Sequence, residues 1–159
     1  MTTQQRIKRF GNPVTNQLQF EQQHMVVWNV PADIRAAIPA LPARIYCNKV
    51  IVVPLEKALR RCMAEGVHKE IKTYDGCFVV RKQRGSNAIS THSFGLAVDM
   101  NAAWNPLDRN VTPATRPALR KSKVQWSEKF LDCWRKEGWN CGADWITVLD
   151  GMHFQWDNV

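Results

Sequence analysis

The segment STHSFGLAVDMN, residues 90–101, contains a histidine and an aspartate seven positions apart, with a glycine between them. Side chains alternate between the two faces of an ideal strand, so a fully extended segment would put His92 and Asp99 on opposite faces. A turn at Gly95 would place His92 on a loop that leans over the strand face carrying Asp99. The two side chains could then offer an imidazole nitrogen and a carboxylate oxygen to one point.

A second segment, LDGMHFQW, places Asp150 and His153 three residues apart across Gly151, at the entry to the last predicted strand. Two histidines with one or two carboxylates suit Zn²⁺, which accepts nitrogen and oxygen ligands and in catalytic sites keeps one position for water. An isolated histidine near a strand end is more often structural than a metal ligand. The spacing alone therefore leaves both interpretations open.

Apolar residues at helical spacing predict two core helices that would support these motifs. The first runs from about residue 53 to 65, with Pro54 in its first turn and Gly66 as its stop. The second runs from about residue 123 to 136, with Ser122 as its N-cap.

Alternating apolar residues predict strands over 96–101 and 152–156, which hold the two motifs. Two further β-rich runs, 71–74 and 77–81, are separated by Asp75-Gly76, which predicts either a tight turn or a kink within one strand. The order of helix, strands, helix and strand indicates an α+β fold, in which helices back a small antiparallel sheet.

Nothing in the sequence marks a second domain, because there are no repeats, low-complexity tracts or Gly/Ser linkers. We therefore expect one domain over residues 1–159 and a monomeric protein. Prolines interrupt residues 1–43, so this part is expected to wrap around the body as short helical pieces and loop.

The composition of the chain narrows the class of its partners. Lysine and arginine exceed aspartate and glutamate by 22 to 14, a formal charge of +8, which favours a polyanion such as nucleic acid, lipopolysaccharide or anionic cell wall. A basic surface that only keeps the protein soluble would have the same composition.

Five scattered cysteines without a CxxC pair predict reduced thiols. We expect no transmembrane segment and no signal peptide, because long apolar runs are absent.

Both motifs resemble those of the M15 zinc peptidases. This family includes D-alanyl-D-alanine carboxypeptidases and dipeptidases, and the L-alanyl-D-glutamate endopeptidases of phage endolysins. The resemblance rests on Ser90-x-His92-x-x-Gly95-x-Ala97-x-Asp99 followed by Asp150-x-x-His153-Phe154. The segment GWNCGADW is similar to a Trp-Gly-Gly-Asp-Trp segment of phage and VanY-like members, and GCFVVRKQRGS resembles the arginine-bearing strand before the histidine motif. The whole resemblance covers about residues 44–156.

The resemblance implies a small DD-peptidase/hedgehog-like α+β domain whose antiparallel sheet carries zinc. It implies that His92, Asp99 and His153 are the zinc ligands, and that Asp150 is the general base for a zinc-held water that attacks a peptide carbonyl. Three departures from the family pattern concern this site. Asp150 stands where many members have Glu, Gln155 stands where Glu is common, and Cys141 and Ala143 replace Trp and Gly of the Trp-Gly-Gly-Asp-Trp segment.

Further site residues follow from the same resemblance. Arg81 falls at the position of the family's substrate-binding arginine, and Arg84 is the reserve candidate for stabilising the oxyanion. Ser90 could hydrogen-bond a zinc ligand or the substrate, although an ordinary loop serine is nearly as compatible with its position.

Three functions are consistent with these observations. The preferred one is an endolysin-type peptidase that cuts the L-Ala–D-Glu bond of peptidoglycan stem peptides, is made in the host cytoplasm and acts on the cell wall after release. It would have no separate cell-wall-binding domain, and its basic surface could contact the anionic envelope. The alternatives are a D-Ala-D-Ala carboxypeptidase or dipeptidase of the same fold, and a basic binding module with only structural zinc. No specific nucleic-acid partner is expected, since the tryptophans are not interleaved with lysine and arginine.

Overall fold

Six α-helices and eight short strands form the computed structural model, which describes residues 1–83 and 88–158. In chain order they are α1 (Thr3–Phe10), α2 (Gln17–His24), β1 (Met25–Asn29), α3 (Ala32–Ala37), β2 (Arg44–Asn48), α4 (Val52–Ala64), β3 (Tyr74–Gly76), β4 (Ala97–Met100), β5 (Leu107–Asp108), α5 (Arg116–Lys123), α6 (Glu128–Lys136), β6 (Trp139–Cys141), β7 (Leu149–Asp150) and β8 (His153–Trp156). Short 3₁₀ helices cover Lys49–Ile51, His68–Glu70, Thr91–Phe94 and Gly142–Asp144. None of the helices within these described ranges is long and apolar enough to cross a membrane.

The central sheet has four antiparallel strands in the order β3-β4-β8-β6. Two smaller antiparallel pairs, β1-β2 and β5-β7, complete the strand pairing. In the register of β4 with β8, Asp99 lies directly opposite His153. The predicted α+β fold is therefore confirmed, and its sheet brings the two motifs side by side although 54 residues separate those two side chains.

An aromatic core lies between the sheet and helix α6. Phe130 and Trp134 of α6 and Phe154 of β8 are fully buried, and Trp126 stacks on Phe130 with ring centroids 4.1 Å apart. Burying one large apolar side chain stabilises the fold by about 1.5–3 kcal/mol. The face of β8 that carries Phe154 is thereby anchored, and the alternation of a strand directs His153 to the other face.

The predicted helix over 123–136 is wrong in its boundaries. The structure has two helices there, and Ser127 rather than Ser122 caps the second, because its hydroxyl accepts a hydrogen bond of 3.1 Å from the Phe130 amide. The chain is extended at Val124 between the two helices. Nearby, the Trp126 indole donates to the Gly151 carbonyl over 2.7 Å. This tertiary contact holds the segment between α5 and α6 against the loop before β8, and it forms in place of a continuous helix. The first core helix is confirmed as α4.

The prediction for residues 71–81 also needs correction. Only Tyr74–Gly76 forms a strand, so Asp75-Gly76 lies within β3 and not in a turn, and Gly76 adopts a positive φ of 136° where the register shifts. The following residues bond to the histidine motif instead of extending the strand. The Val79 amide donates to the His92 carbonyl over 3.3 Å, and the Ser90 amide donates to the Arg81 carbonyl over 3.0 Å.

Residues 1–43 contain the expected short helices, α1 to α3. The strand β1 among them was not expected, and it pairs with β2 from Met25↔Asn48 to Asn29↔Arg44. Asn48 then connects this pair to the site, because its side-chain amide donates to the Phe94 carbonyl over 3.0 Å. The N-terminal part of the chain is thus packed against the histidine motif.

Candidate metal centre and its cleft

His92 is held by the 3₁₀ helix Thr91–Phe94, which begins after Ser90 and ends at Gly95. The Ser90 hydroxyl accepts a hydrogen bond of 3.3 Å from the His92 amide, and the Gly95 amide donates to the His92 carbonyl over 3.0 Å. Gly95 has a φ of +64°, and a Cβ at this position would lie 2.7 Å from Met25 Sδ. The turn predicted from Gly95 is confirmed, and only glycine fits there without displacing its neighbours.

The ring of His92 is oriented by a backbone carbonyl. Its Nδ1 lies 2.7 Å from the carbonyl oxygen of Cys77. A carbonyl oxygen can only accept a hydrogen bond, so Nδ1 carries the proton. His92 Nε2 therefore has a lone pair free in the neutral ring, and this nitrogen faces Asp99.

Three donor atoms converge at the ends of the two motifs, and their residues, His92, Asp99 and His153, are called the His–Asp–His cluster below. His92 Nε2 lies 3.2 Å from Asp99 Oδ1 and 3.1 Å from His153 Nδ1. His153 Nδ1 and Asp99 Oδ1 are also 3.1 Å apart. A tetrahedral zinc ion with bonds of about 2.0–2.1 Å has ligand atoms about 3.3 Å from one another. The cluster thus matches three corners of a zinc site in both donor type and spacing.

The charge of this cluster follows from its burial and its hydrogen bonds. Burial alone would raise the pKa of Asp99, but while the ring nitrogens of His153 and His92 that face it carry protons, hydrogen bonds from them outweigh burial and hold that pKa well below its usual range. Burial alone would lower the pKa of His153, but Asp99 outweighs it and the net direction is upward. A buried carboxylate that stays ionised between two imidazoles can bind a divalent cation in place of protons.

Asp150 lies beside the cluster on β7. Its strand pairs with β5, with Leu107 opposite Asp150, and both residues line the same cleft as the metal-binding candidates. The negative charge of Asp150 contributes to raising the pKa of His153. Gly142 packs directly on this strand, since a Cβ at Gly142 would lie 2.3 Å from the Asp150 carbonyl oxygen. The second glycine of GWNCGADW, Gly142, therefore permits the close approach that positions Asp150.

The cleft has a volume of about 270 Å³. It brings together every site residue predicted within the described ranges, namely Arg81, Ser90, His92, Asp99, Asp150 and His153. The backbone of Arg81 is fixed because its amide donates a hydrogen bond of 2.9 Å to the Ser93 hydroxyl oxygen. Ser90 is buried. Arg84 lies outside the described residues.

Arg109 and Trp145 are among the other residues that line the cleft, and the motifs did not single them out. Arg109 follows β5 and is exposed, and no sequence pattern around it predicts a site. Trp145 lies in the GWNCGADW segment, and its ring centroid is 5.3 Å from that of His153. The Trp145 indole donates to Asn140 over 2.7 Å, which holds the ring against the cluster. The neighbouring Asp144 instead forms two hydrogen bonds with Arg135, of 2.8 and 2.6 Å.

Comparison with known proteins agrees with this geometry. Residues 84–156 match the M15 peptidase family model described as D-alanyl-D-alanine carboxypeptidase. The match confirms the resemblance seen in the motifs, and it covers the whole His–Asp–His cluster and Asp150. No curated protein and no solved structure matches the chain. At the level of the family, the match supports a peptidase related to peptidoglycan.

Proposed function

We propose, from the M15 family match of residues 84–156 and the geometry of the cleft, that this protein is a zinc-dependent peptidoglycan peptidase of the endolysin type. The observation that carries the proposal is the convergence of His92 Nε2, Asp99 Oδ1 and His153 Nδ1 within 3.1–3.2 Å of one another. Asp150 beside them, in the same cleft, supports a catalytic rather than a purely structural site.

The donor set fits zinc, with two imidazole nitrogens and one ionised carboxylate oxygen. When bound, zinc would act as a Lewis acid that polarises the peptide carbonyl and makes a water in the cleft more acidic. The chain itself supplies three protein ligands, which is the number found in catalytic zinc sites.

Asp150 is proposed as the general base. A carboxylate at the edge of the cleft can accept a proton from the attacking water and later deliver it to the leaving amine. Gly142 and the β5-β7 pairing hold the backbone of Asp150 from two sides. Trp145 covers the neighbouring His153 ring and limits the access of bulk water to this side of the cluster.

Arg81 is proposed to bind an anionic group of the substrate. It lines the cleft together with Arg109, so two arginines border the space in which a peptide would lie. Stem peptides carry carboxylates, and arginine binds a carboxylate through paired hydrogen bonds. We propose the L-Ala–D-Glu bond as the target, because the D-Glu residue after that bond supplies a carboxylate close to the reacting carbonyl.

A second candidate function is supported by the description of the matching family. A D-alanyl-D-alanine carboxypeptidase would use the same cluster and the same base, and Arg81 would then bind the terminal carboxylate of the substrate. The two functions differ in the bond that is cut. A binding module with only structural zinc is less well supported, because its fourth ligand would have to be Asp150.

Digestion of purified peptidoglycan, followed by mass spectrometry of the fragments, tests the proposal. The endopeptidase releases fragments with a new N-terminal D-Glu, whereas the carboxypeptidase removes only terminal D-Ala. His92→Ala should release neither product, and it serves as the control for contaminating hydrolases. If the protein with one zinc per chain releases no fragment, the peptidase proposal is wrong.

The place of action follows from the substrate. Peptidoglycan lies outside the cytoplasmic membrane, so we propose that the protein acts on the cell wall after release from the host cytoplasm. Its excess of lysine and arginine supports a further, weaker contact with the anionic envelope.

A further inference from the structure

A line of polar side chains runs from His153 to the first helix, and three of its residues, Gln155, Asp157 and Arg6, are called the outer chain below. His153 Nε2 lies 3.1 Å from Gln155 Oε1, and Gln155 Nε2 donates to Asp157 Oδ2 over 2.7 Å. Arg6 of α1 donates to the other carboxylate oxygen, also over 2.7 Å. Arg6 and Gln155 are only 3% and 8% exposed. The outer chain is therefore a buried connection across the molecule.

The carboxylate of Asp157 determines which way the Gln155 amide points. Burial alone would raise the pKa of Asp157, but hydrogen bonds from Gln155, Arg6, the N-terminal amine and Asn140 outweigh burial and lower that pKa. An ionised carboxylate can only accept hydrogen bonds, so the NH₂ end of Gln155 must face Asp157. The oxygen end then faces His153, and the Thr91 hydroxyl donates to the same oxygen over 3.1 Å.

The amide oxygen of Gln155 in turn determines the tautomer of His153. This oxygen also only accepts, so Nε2 of His153 carries its proton. In the neutral ring, His153 Nδ1, which faces Asp99 and His92, then has the lone pair that a metal ion needs. Partners that bond to the second nitrogen of a metal-binding imidazole orient the ring and commonly change metal affinity by about 10- to 100-fold.

We propose that the outer chain holds His153 in the tautomer and orientation needed for metal binding, which makes helix α1 part of the metal centre. The inference rests on the proposed zinc site and deepens it. Arg6, Gln155 and Asp157 are positioning residues, because only Gln155 contacts a ligand candidate and none of the three contacts the reacting atoms. The proposal also assigns a role to Arg6, which precedes the family match at 84–156, and to Asp157, which follows it.

The decisive variant is Asp157→Asn. An asparagine amide can donate as well as accept, so Gln155 is free to rotate and present its NH₂ group to His153 Nε2. That arrangement favours the proton on Nδ1, where it competes with the metal. We expect Zn²⁺ affinity, measured by competition with a chelating indicator, to fall by about 10- to 100-fold.

A matched control separates this effect from the loss of an ion pair in general. Asp33→Asn makes the same chemical change in an exposed pair, Asp33–Arg60 at 2.6 Å, which lies outside the outer chain and the His–Asp–His cluster. Its Zn²⁺ affinity should equal that of the wild type. Arg6→Met should weaken Zn²⁺ binding in the same direction as Asp157→Asn, and Arg6→Lys should recover part of it by restoring the charge.

A second readout follows the His153 proton directly. In the zinc-loaded wild type, the Nε2–H proton should be visible by ¹⁵N-edited NMR and exchange slowly with water, and in Asp157→Asn it should exchange faster. If Asp157→Asn is less heat-stable without metal but binds Zn²⁺ like the wild type and keeps the slow proton, Asp157 only stabilises the fold and the inference is wrong.

Thr91→Val provides the same test without disturbing a buried charge, in case Asp157→Asn does not fold. It removes the second donor to Gln155 Oε1 with little change in side-chain volume. A loss of Zn²⁺ affinity that is smaller than in Asp157→Asn supports the inference, and an unchanged affinity contradicts it.

The wild type distinguishes the two proposals. If it binds no Zn²⁺, the proposed function fails as well; if it binds Zn²⁺ and Asp157→Asn binds equally well, only the outer chain fails.

Discussion

At the scale of single residues, the environments of the two aspartates in the cleft separate their roles. Asp99 is placed between His92 and His153, and the hydrogen bonds from both rings keep its pKa low despite burial. Asp150 lies on a different strand, beside the cluster rather than within its three close distances. A carboxylate shared by two imidazoles is suited to bind a metal, whereas a carboxylate at the edge of the cleft is suited to move a proton.

The substitution Asp150→Asn tests this separation. If Asp150 moves a proton without binding the metal, Asp150→Asn should retain zinc and the fold while its hydrolysis rate falls by about 10²- to 10⁴-fold. Zinc stoichiometry and the rate of stem-peptide hydrolysis are the two measurements. Loss of zinc in this variant would make Asp150 a ligand and would favour the structural-zinc alternative. Full activity with zinc retained would transfer the role of base to another carboxylate, with Asp144 the next to test.

His153→Ala is expected to behave differently, because it removes a proposed ligand. It should lose zinc affinity and the stabilisation that zinc adds to the folded state, since a ligand that binds only the native protein raises its thermal midpoint. The measurement is the thermal midpoint with and without a chelator. The chelator should lower the midpoint of the wild type and of Asp150→Asn but not that of His153→Ala. An equal response in all three proteins would contradict the assignment of His153.

The sequence predicted the residues of the site better than their surroundings. The resemblance of both motifs to the M15 peptidases indicated the cluster, whereas the histidine and carboxylate spacing around Gly95 and Gly151 alone left metal binding open. Arg109 could not be found in this way, since it reaches the cleft through the tertiary pairing of β5 with β7. The outer chain was missed for the same reason, as 151 residues separate Arg6 from Asp157.

At the scale of elements, the 3₁₀ helix Gly142–Asp144 positions Asp150, the proposed general base. It packs on β7 so closely that a Cβ at Gly142 would lie 2.3 Å from the Asp150 carbonyl oxygen and 3.0 Å from Asp150 Cβ. The first of these clashes is with backbone, which cannot rotate away. Any side chain at residue 142 must therefore shift β7, and with it Asp150, relative to the cluster on β4 and β8.

We expect Gly142→Ala to lower the hydrolysis rate by about 10²-fold, because a displacement of roughly 1 Å in a catalytic group can have that effect. Zinc content should be unchanged, since no proposed ligand lies on β7. Gly66→Ala is the matched control. Nothing lies within 4 Å of a Cβ at Gly66, but its φ of +74° makes the substitution strained. This control should lose stability and keep its rate. Wild-type activity in Gly142→Ala would show that β7 tolerates the shift.

Local sequence patterns predicted elements well where packing agrees with them and poorly where tertiary contacts prevail. Helix α4 and strands β4 and β8 were predicted because their apolar periodicity matches the face they bury. The break between α5 and α6 was not, since it depends on Trp126 donating to the carbonyl of Gly151, 25 residues away. The segment after Gly76 has strand-forming residues but bonds to His92 and Ser90 instead.

At the scale of the whole molecule, we expect the formal charge of +8 to affect the proposed binding to the envelope more than the proposed catalysis. The cleft can contact only the part of a substrate that enters it, whereas an excess of surface lysine and arginine attracts any extended polyanion. Attraction between exposed charges is screened by salt, with a Debye length of about 10 Å at 0.1 M. Binding to intact cell-wall material and cleavage of a short soluble peptide should therefore respond differently to salt.

We expect binding to intact peptidoglycan or outer-membrane material to weaken steeply between low and physiological salt, while hydrolysis of a soluble stem peptide changes less. Sedimentation of the protein with wall fragments and the rate of peptide hydrolysis, measured in the same salt series, test this. A variant with glutamine at Lys8, Lys69 and Lys121, three exposed positions outside the cleft, removes three positive charges. It should show a shallower salt dependence of binding and an unchanged rate on the soluble peptide. Equal salt sensitivity for both substrates would mean that the surface charge has no separate role, and attraction at the cleft itself, by Arg81 and Arg109, would account for both.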